Sequence, residues 1–416
     1  MLRLCLILIA IVLSGCATRP ASHNFPDTSL PNQLLTERHY EIWVDADGTL
    51  FPDGWDALCG SHRSGAYTLH NRALSPNYPE CTPELLSQTR EQTLSEVAQA
   101  FRGLEMVTIL IHGFNHGVSA SQNRVTCAPG AEDVPATSIR CDYGQRRRAI
   151  DSIMDGSGQS DPSHGYIDFF WNGLRAQGPT FSIRGLIGTG TAWTYASING
   201  ERAGHLALQP ILATLQDAGV QRVHLLAHSR GAAVALAALA GGKYVNDDIR
   251  ARNASLGAPS PSRPLADTGM EIIVTSTAPA IGQWHFAGGQ DAWVRASDPV
   301  RQLPQSISSY YSTIYSRDFA LRKMVGSIFV RRFNSTAFGQ SFDTAARVAA
   351  RMNADRVNAT GDPYFIVMPV DPARGQSTSS GPVRRGTHDA TDYLNTCEVT
   401  ARLAQIYRAS HQVCPN

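Results

Sequence analysis

Apolar residues gather along this chain into short unbroken runs, separated by stretches of helical periodicity. Met106-Val107-Thr108-Ile109-Leu110-Ile111 is one such run, the pattern of a strand covered on both faces in a parallel sheet. Tyr166-Ile167-Asp168-Phe169-Phe170-Trp171 and Val223-His224-Leu225-Leu226-Ala227 repeat it. Further strands are expected at 270–275, 292–295 and 364–368. Tyr40-Glu41-Ile42-Trp43-Val44 and the segment after Asp47-Gly48 predict a hairpin. Between the strands, 201–218 carries Leu208, Ile211, Leu212 and Leu215 at helical spacing. Pro210 either kinks that helix or marks its start. Residues 231–240 are almost all small or apolar, as in a buried helix. Residues 305–360 are expected to be largely helical, and 397–410 to form a closing helix. Strands alternating with helices predict an α/β fold, a mostly parallel central sheet flanked by helices.

Composition narrows the function classes. Of 416 residues, 43% are hydrophobic and 17% charged, enough apolar material for a sizeable core and not the signature of a disordered chain. Lys and Arg number 36 and Asp and Glu 35, a net charge of +1. No overall field draws the chain to nucleic acid, so no nucleic-acid partner is expected.

The N-terminus reads as an export signal. Arg3 gives a positive start, and the apolar run from Leu4 to Leu13 is shorter than the ~20 residues a membrane span needs. It ends in Leu13-Ser14-Gly15-Cys16, which resembles the lipobox of bacterial lipoproteins. That resemblance implies a signal peptide over 1–15, cleavage before Cys16 and acylation of Cys16. Ala17 in place of the Asp of inner-membrane retention implies the outer membrane. Residues 16–36, rich in Pro, Ser and Asn, then form a flexible tether. The alternatives are an ordinary signal peptide cut near Ala17 and an uncleaved anchor.

Cys5 and Cys16 aside, six cysteines remain. They fall into local pairs, Cys59 with Cys81, Cys127 with Cys141 and Cys397 with Cys414. An oxidising compartment favours three disulfides, and nearest-neighbour pairing is the expected one of 15 connectivities. No Cys-x-x-Cys spacing suggests zinc. His112 and His116 stand four apart, but their segment leaves a strand and contains Gly113, so no metal is expected there.

The sharpest chemistry is Ala227-His228-Ser229-Arg230-Gly231, between a strand and a helix of small residues. A nucleophilic serine needs such a tight strand-to-helix turn, which lifts its Oγ clear of the sheet. Small residues two before and two after let strand and helix approach, and the helix N-terminus favours negative charge nearby. Ile111-His112-Gly113-Phe114-Asn115 leaves an upstream strand and resembles the oxyanion loop of α/β-hydrolases. The backbone N–H groups of Phe114 and Arg230 are the expected donors. Together these parts resemble an α/β-hydrolase of the esterase/lipase type over about 105–300, with a short piece near 388. Leu256-Gly257-Ala258-Pro259 and Ser297-Asp298-Pro299-Val300 resemble segments of triacylglycerol lipases.

The resemblance implies an acid and then a histidine downstream of the serine. Asp298, after an expected strand and before Pro299, is the expected acid, with Asp291 as rival. His388, in a loop with Gly386, is the expected base. His411 sits close to Cys414, and His285 precedes the acid. His228 and Arg230 either contact substrate or pack; Trp171 either lines a pocket or belongs to the core. About 90 residues separate Asp298 from His388, more than the ~12–15 of an ordinary long loop.

The expected organisation is therefore a strand and loop region at 37–100 joined to an α/β-hydrolase domain at 101–416, with a cap insertion at 305–380. The expected activity is ester hydrolysis by Ser229, His388 and Asp298 through an acyl-enzyme, without a cofactor, on a lipid-anchored protein of the cell envelope. Small-molecule or lipid esters are its expected substrates. Amide or thioester cleavage on the same residues is one alternative. A non-catalytic envelope module that keeps the fold for binding is the other.

Overall fold

A computed structural model describes residues 26, 29–60, 68–113, 139–155, 163–173, 196–240, 251, 269–281, 303–318, 321, 337–354, 361–372 and 388–409. Its centre is an eight-stranded sheet of order β1-β2-β4-β3-β5-β6-β7-β8. The strands are β1 (Gln33–Thr36), β2 (His39–Trp43), β3 (Met106–Ile111), β4 (His164–Phe170), β5 (Arg222–His228), β6 (Glu271–Thr277), β7 (Ile307–Ile314) and β8 (Phe365–Pro369). Only β1 and β2 pair antiparallel; every other neighbouring pair is parallel.

Among the described residues the helices include α1 (Trp55–Leu58), α2 (Leu69–Ala73), α3 (Pro83–Ala100), α4 (Ile139–Asp155), α5 (Gln209–Asp217), α6 (Gly231–Ala240), α7 (Ala337–Gln340), α8 (Phe342–Ala354), α9 (Ala390–Leu394) and α10 (Cys397–Ile406). Both faces of the sheet are covered, so alternate strand residues enter separate cores. Val107, Ile109 and Ile111 of β3 join the core under α5, α6 and α8. Met106 and Leu110 join the one under α4, α9 and α10. This double burial makes β3, β4 and β5 continuous apolar runs rather than alternating ones.

The second core contains a polar seam. His164 Nε2 lies 2.8 Å from Thr108 Oγ1, and that hydroxyl is 2.9 Å from the Tyr407 hydroxyl. The Tyr407 hydroxyl is 2.7 Å from His224 Nδ1, and His224 Nε2 is 2.9 Å from Thr275 Oγ1. One tyrosine beyond α10 thus ties the end of the described chain to β4, β3, β5 and β6. Burial in this seam, reinforced by His164 and Arg222, lowers the His224 pKa to about 3.

The structure departs from several sequence expectations. Residues 305–360, expected to be helical, begin with β7. The expected cap at 305–380 instead contributes β7 and β8, which complete the edge of the central sheet. Cross-strand burial explains this: Tyr310 and Phe365 stack at 4.6 Å between paired strands. The hairpin forms one strand earlier than expected, between β1 and β2, and β2 then runs parallel to β4. Only one bridge, Val44 to Leu50, links the two segments expected to pair. Residues 204–208 form a wide π-helical turn just before Pro210. There the Gln209 N–H bonds to the Gly204 carbonyl, so the chain enters α5 through an extra residue rather than a break. The expected strand at 292–295 lies outside the described residues.

Cys59 and Cys81 are joined in a disulfide with Cα atoms 5.0 Å apart. Cys397 is an exposed free thiol, which does not match its expected pairing. Its expected partner Cys414, and Cys127 and Cys16, lie outside the described residues, as does the side chain of Cys141. Among the described residues no helix is long and apolar enough to cross a membrane.

Candidate active site

Ser229 stands between the last residue of β5 and the first turn of α6. Its φ is +53°, a left-handed conformation that costs a non-glycine residue on the order of 1–3 kcal/mol and persists only where surroundings enforce it. They do so here: its N–H donates to Thr277 O at 2.9 Å and its carbonyl accepts from Ala280 N at 3.0 Å. The elbow is thereby bolted to the end of β6.

Two glycines allow the neighbouring loop to close on it. A Cβ at Gly113 would come within 2.6 Å of Ser229 Cβ and 3.2 Å of its Oγ. A Cβ at Gly231 would meet His112 O at 2.6 Å and Ile111 O at 2.8 Å. The main chain after β3 therefore lies directly against the serine, and only glycine fits at either point. Phe114, the next residue and an expected oxyanion donor, lies outside the described residues. The other expected donor, Arg230, follows Ser229 at the start of α6.

His388 reaches this elbow from the segment before α9. Its Nε2 is 2.8 Å from Ser229 Oγ. Its Nδ1 is 2.6 Å from Oδ2 of Asp318, whose side chain is fully buried. Asp318 sits just beyond β7, and its Oδ1 accepts from Leu321 N at 3.1 Å. The Tyr393 hydroxyl donates to the same Oδ2 at 2.6 Å. Ser229, His388 and Asp318 thus form one hydrogen-bonded line at the carboxyl ends of β5 and β7, the end where parallel α/β sheets bind ligands.

The acid on His388 is therefore Asp318 and not the expected Asp298. Asp298 and its rival Asp291 lie outside the described residues, as do His411 and His285. Both Asp318 and Asp298 satisfy the order serine, acid, histidine; what distinguishes them is which strand delivers the carboxylate. The signal for Asp318 was the run Ile307-Ser308-Ser309-Tyr310-Tyr311-Ser312-Thr313-Ile314, rich in β-formers and four residues ahead of the aspartate.

The neighbouring side chains have structural partners. His228 Nε2 donates to the His388 carbonyl at 2.9 Å, pinning the main chain of that histidine. Arg230 is buried, and its Nη1 donates to Ala280 O at 3.2 Å. Trp171 belongs to the core: it is fully buried, stacks on His112 at 5.3 Å, and donates Nε1–H to the His112 carbonyl at 2.9 Å. The Trp171 backbone N–H donates to His112 Nε2 at 3.1 Å, which leaves Nδ1–H to donate to Gly113 O at 2.7 Å. A neutral His112, held on both nitrogens, thus fixes the loop that faces the serine. Among the described residues no three His, Cys, Asp or Glu side chains cluster as metal ligands would.

No family model matches this chain, and no curated protein matches it. Among solved structures, similarity is found to "Structure of the Tle1 effector bound to the VgrG spike from the Type 6 secretion system". Sequence identity is 13%, over 52% of this chain and 46% of that one, with a TM-score of 0.21. The chain thus covers less than half of that protein. A likeness of this degree carries no weight, so the functional reading rests on the site itself.

Proposed function

We propose that this protein is a serine hydrolase that cleaves carboxylic esters through an acyl-enzyme. The observation that carries the reading is the unbroken line from Ser229 Oγ through His388 to the buried Asp318 carboxylate. It begins on a serine whose backbone is held in a strained turn. A structural serine needs neither the strain nor a histidine at 2.8 Å.

Ser229 Oγ attacks the ester carbonyl while His388 Nε2 takes its proton. Asp318 accepts from Nδ1–H, fixes the tautomer and stabilises the imidazolium that forms. The tetrahedral oxyanion is received by the backbone N–H groups of Arg230 and Phe114. Collapse expels the alcohol, which takes the proton from His388. Water, deprotonated by the same nitrogen, then attacks the acyl-enzyme and releases the acid. No cofactor enters these steps.

The protein acts from the envelope, held through lipid on Cys16 and facing membrane-associated or external esters. This part rests on the Leu13-Ser14-Gly15-Cys16 string and stands apart from the catalytic reading. Labelling with a fluorophosphonate probe, followed by peptide mapping, tests the nucleophile: modification at Ser229 and its loss in Ser229→Ala are expected. A folded Ser229→Ala protein that still hydrolyses p-nitrophenyl esters at the wild-type rate would overturn the assignment. Cell fractionation of Cys16→Ser tests the anchor. Release of the processed protein into the soluble fraction, or retention of the unprocessed precursor, is expected, and a processed variant that stays membrane-bound after a high-salt wash would refute it.

A further inference from the structure

We infer that Tyr393 is a positioning residue that tunes the Asp318–His388 pair through a hydrogen bond to the oxygen His388 uses. This deepens the serine-hydrolase reading and rests on it.

The geometry is specific. Asp318 Oδ2 accepts from His388 Nδ1 at 2.6 Å and from the Tyr393 hydroxyl at 2.6 Å, while Oδ1 accepts from Leu321 N at 3.1 Å. Both oxygens are thereby directed, and the shared one is aimed by two donors. The two donors come from one short piece of chain. His388 directly precedes Asp389, the N-cap of α9, whose side chain accepts from Thr391 N at 2.9 Å. Tyr393 lies on α9 itself, so the helix that ends the His388 segment also returns a side chain to the acid. His228 closes the arrangement from the serine side by holding the His388 carbonyl.

The phenol stays a donor. Burial raises the Tyr393 pKa well above its usual value, and the charge of Asp318 adds to this. Tyr315, packed edge-on at 6.2 Å, and Asp392 push the same way. Among the described residues, the titratable groups around the pair include His228, Tyr315, Tyr393 and Asp392.

A hydrogen bond to a carboxylate stabilises its charge and makes it a poorer partner for an adjacent imidazolium. Tyr393 therefore shares the carboxylate oxygen with His388 and holds it where His388 Nδ1 meets it. Tyr393→Phe keeps the ring and removes only the donor. Its expected signature has two parts. The acid limb of the pH profile of kcat/KM for a p-nitrophenyl ester should move up by about half to one pH unit, as released carboxylate charge favours the protonated histidine. The alkaline plateau of kcat should fall several-fold, with KM nearly unchanged.

The downfield proton resonance of His388 Nδ1–H gives a second readout that needs no turnover, and it should shift in Tyr393→Phe. A purely structural tyrosine would lower the unfolding midpoint and leave both the limb and the resonance in place; that result overturns the inference. Ser229→Ala assayed alongside separates the two levels. If it remains active, the hydrolase reading falls and takes the role of Tyr393 with it. If it is inactive while Tyr393→Phe leaves limb and resonance unmoved, only the role of Tyr393 falls.

Discussion

Replacing Asp318 by Asn removes a charge without removing volume, and the hydrogen-bond inventory fixes what must follow. Among the described residues the carboxylate accepts from His388 Nδ1–H and the Tyr393 hydroxyl on Oδ2, and from Leu321 N–H on Oδ1. An amide has one acceptor oxygen and one donor nitrogen. With its oxygen toward His388, its NH2 opposes the Leu321 N–H. With its NH2 toward His388, it opposes two donors and forces the imidazole into the wrong tautomer. The first orientation loses one bond and the stabilisation of the imidazolium; the second loses the general base as well. The expected fall in kcat lies between ~10² and ~10⁴, or roughly 2.7–5.4 kcal/mol of transition-state stabilisation. The assay is initial-rate hydrolysis of p-nitrophenyl butyrate by Asp318→Asn, Asp298→Asn and Asp291→Asn, each checked for native circular dichroism. Asp298→Asn and Asp291→Asn should stay within about twofold of wild type, because the Asp318 carboxylate already occupies His388 Nδ1. If Asp298→Asn costs more than Asp318→Asn, the acid has been placed on the wrong strand.

Other outcomes follow from the same contacts. Gly113→Ala should lower kcat/KM by ~10² or more, because its Cβ would meet Ser229 Cβ at 2.6 Å and push the oxyanion loop away; a folded variant of wild-type activity would show that loop to be irrelevant. The folded-state pKa of His224, about 3, lies below its ordinary ~6.5, so its contribution is present above pH 6.5 and lost as pH falls from 6.5 toward 3, by up to about 5 kcal/mol. Urea unfolding across that range should show the loss, and His224→Gln should show a smaller one; equal slopes would refute the assignment. Cys59→Ser with Cys81→Ser should cost about 3 kcal/mol, the loop-closure value for a separation of 22 residues, so an unchanged thermal midpoint would rule out a stabilising role for that bond.

What the sequence made legible follows burial. Strands β3, β4 and β5 are covered on both faces, so their residues had to be apolar throughout, and each was readable as a run. The serine elbow and the glycine loop were readable for a related reason. Gly113 and Gly231 are forced by close contacts with the serine and with the end of β3, and such steric demands leave a fixed local spelling. His388 was readable because few histidines follow the elbow. Local spacing also held for Cys59 and Cys81, whose disulfide sulfurs belong to buried residues, whereas the expected partner of Cys397 lies outside the described residues.

The acid was hard to read, because the strand ahead of it is the one local mark it carries. A triad carboxylate needs a strand end one hydrogen bond away from the histidine, and which strand supplies it depends on sheet order. In this sheet β7 lies two places from β5, beyond β6, and Asp318 follows β7 by four residues. β7 itself was hidden, since Ser308, Ser309, Ser312 and Thr313 interrupt its apolar pattern. One of those polar residues is buried and used: Thr313 Oγ1 accepts from Ala278 N at 2.8 Å. Ser276 Oγ, on the adjacent β6, meets the Tyr310 hydroxyl at 2.8 Å. Beside the elbow the sheet is therefore held by hydroxyl bonds as well as by apolar packing. Ala278, with φ +46°, turns the chain there so that Ala280 N can hold the Ser229 carbonyl. The polar letters that concealed β7 are thus part of what fixes the nucleophile and its acid. A search for the acid should accordingly weigh strands whose hydroxyls can be satisfied across the sheet equally with strands that are purely apolar.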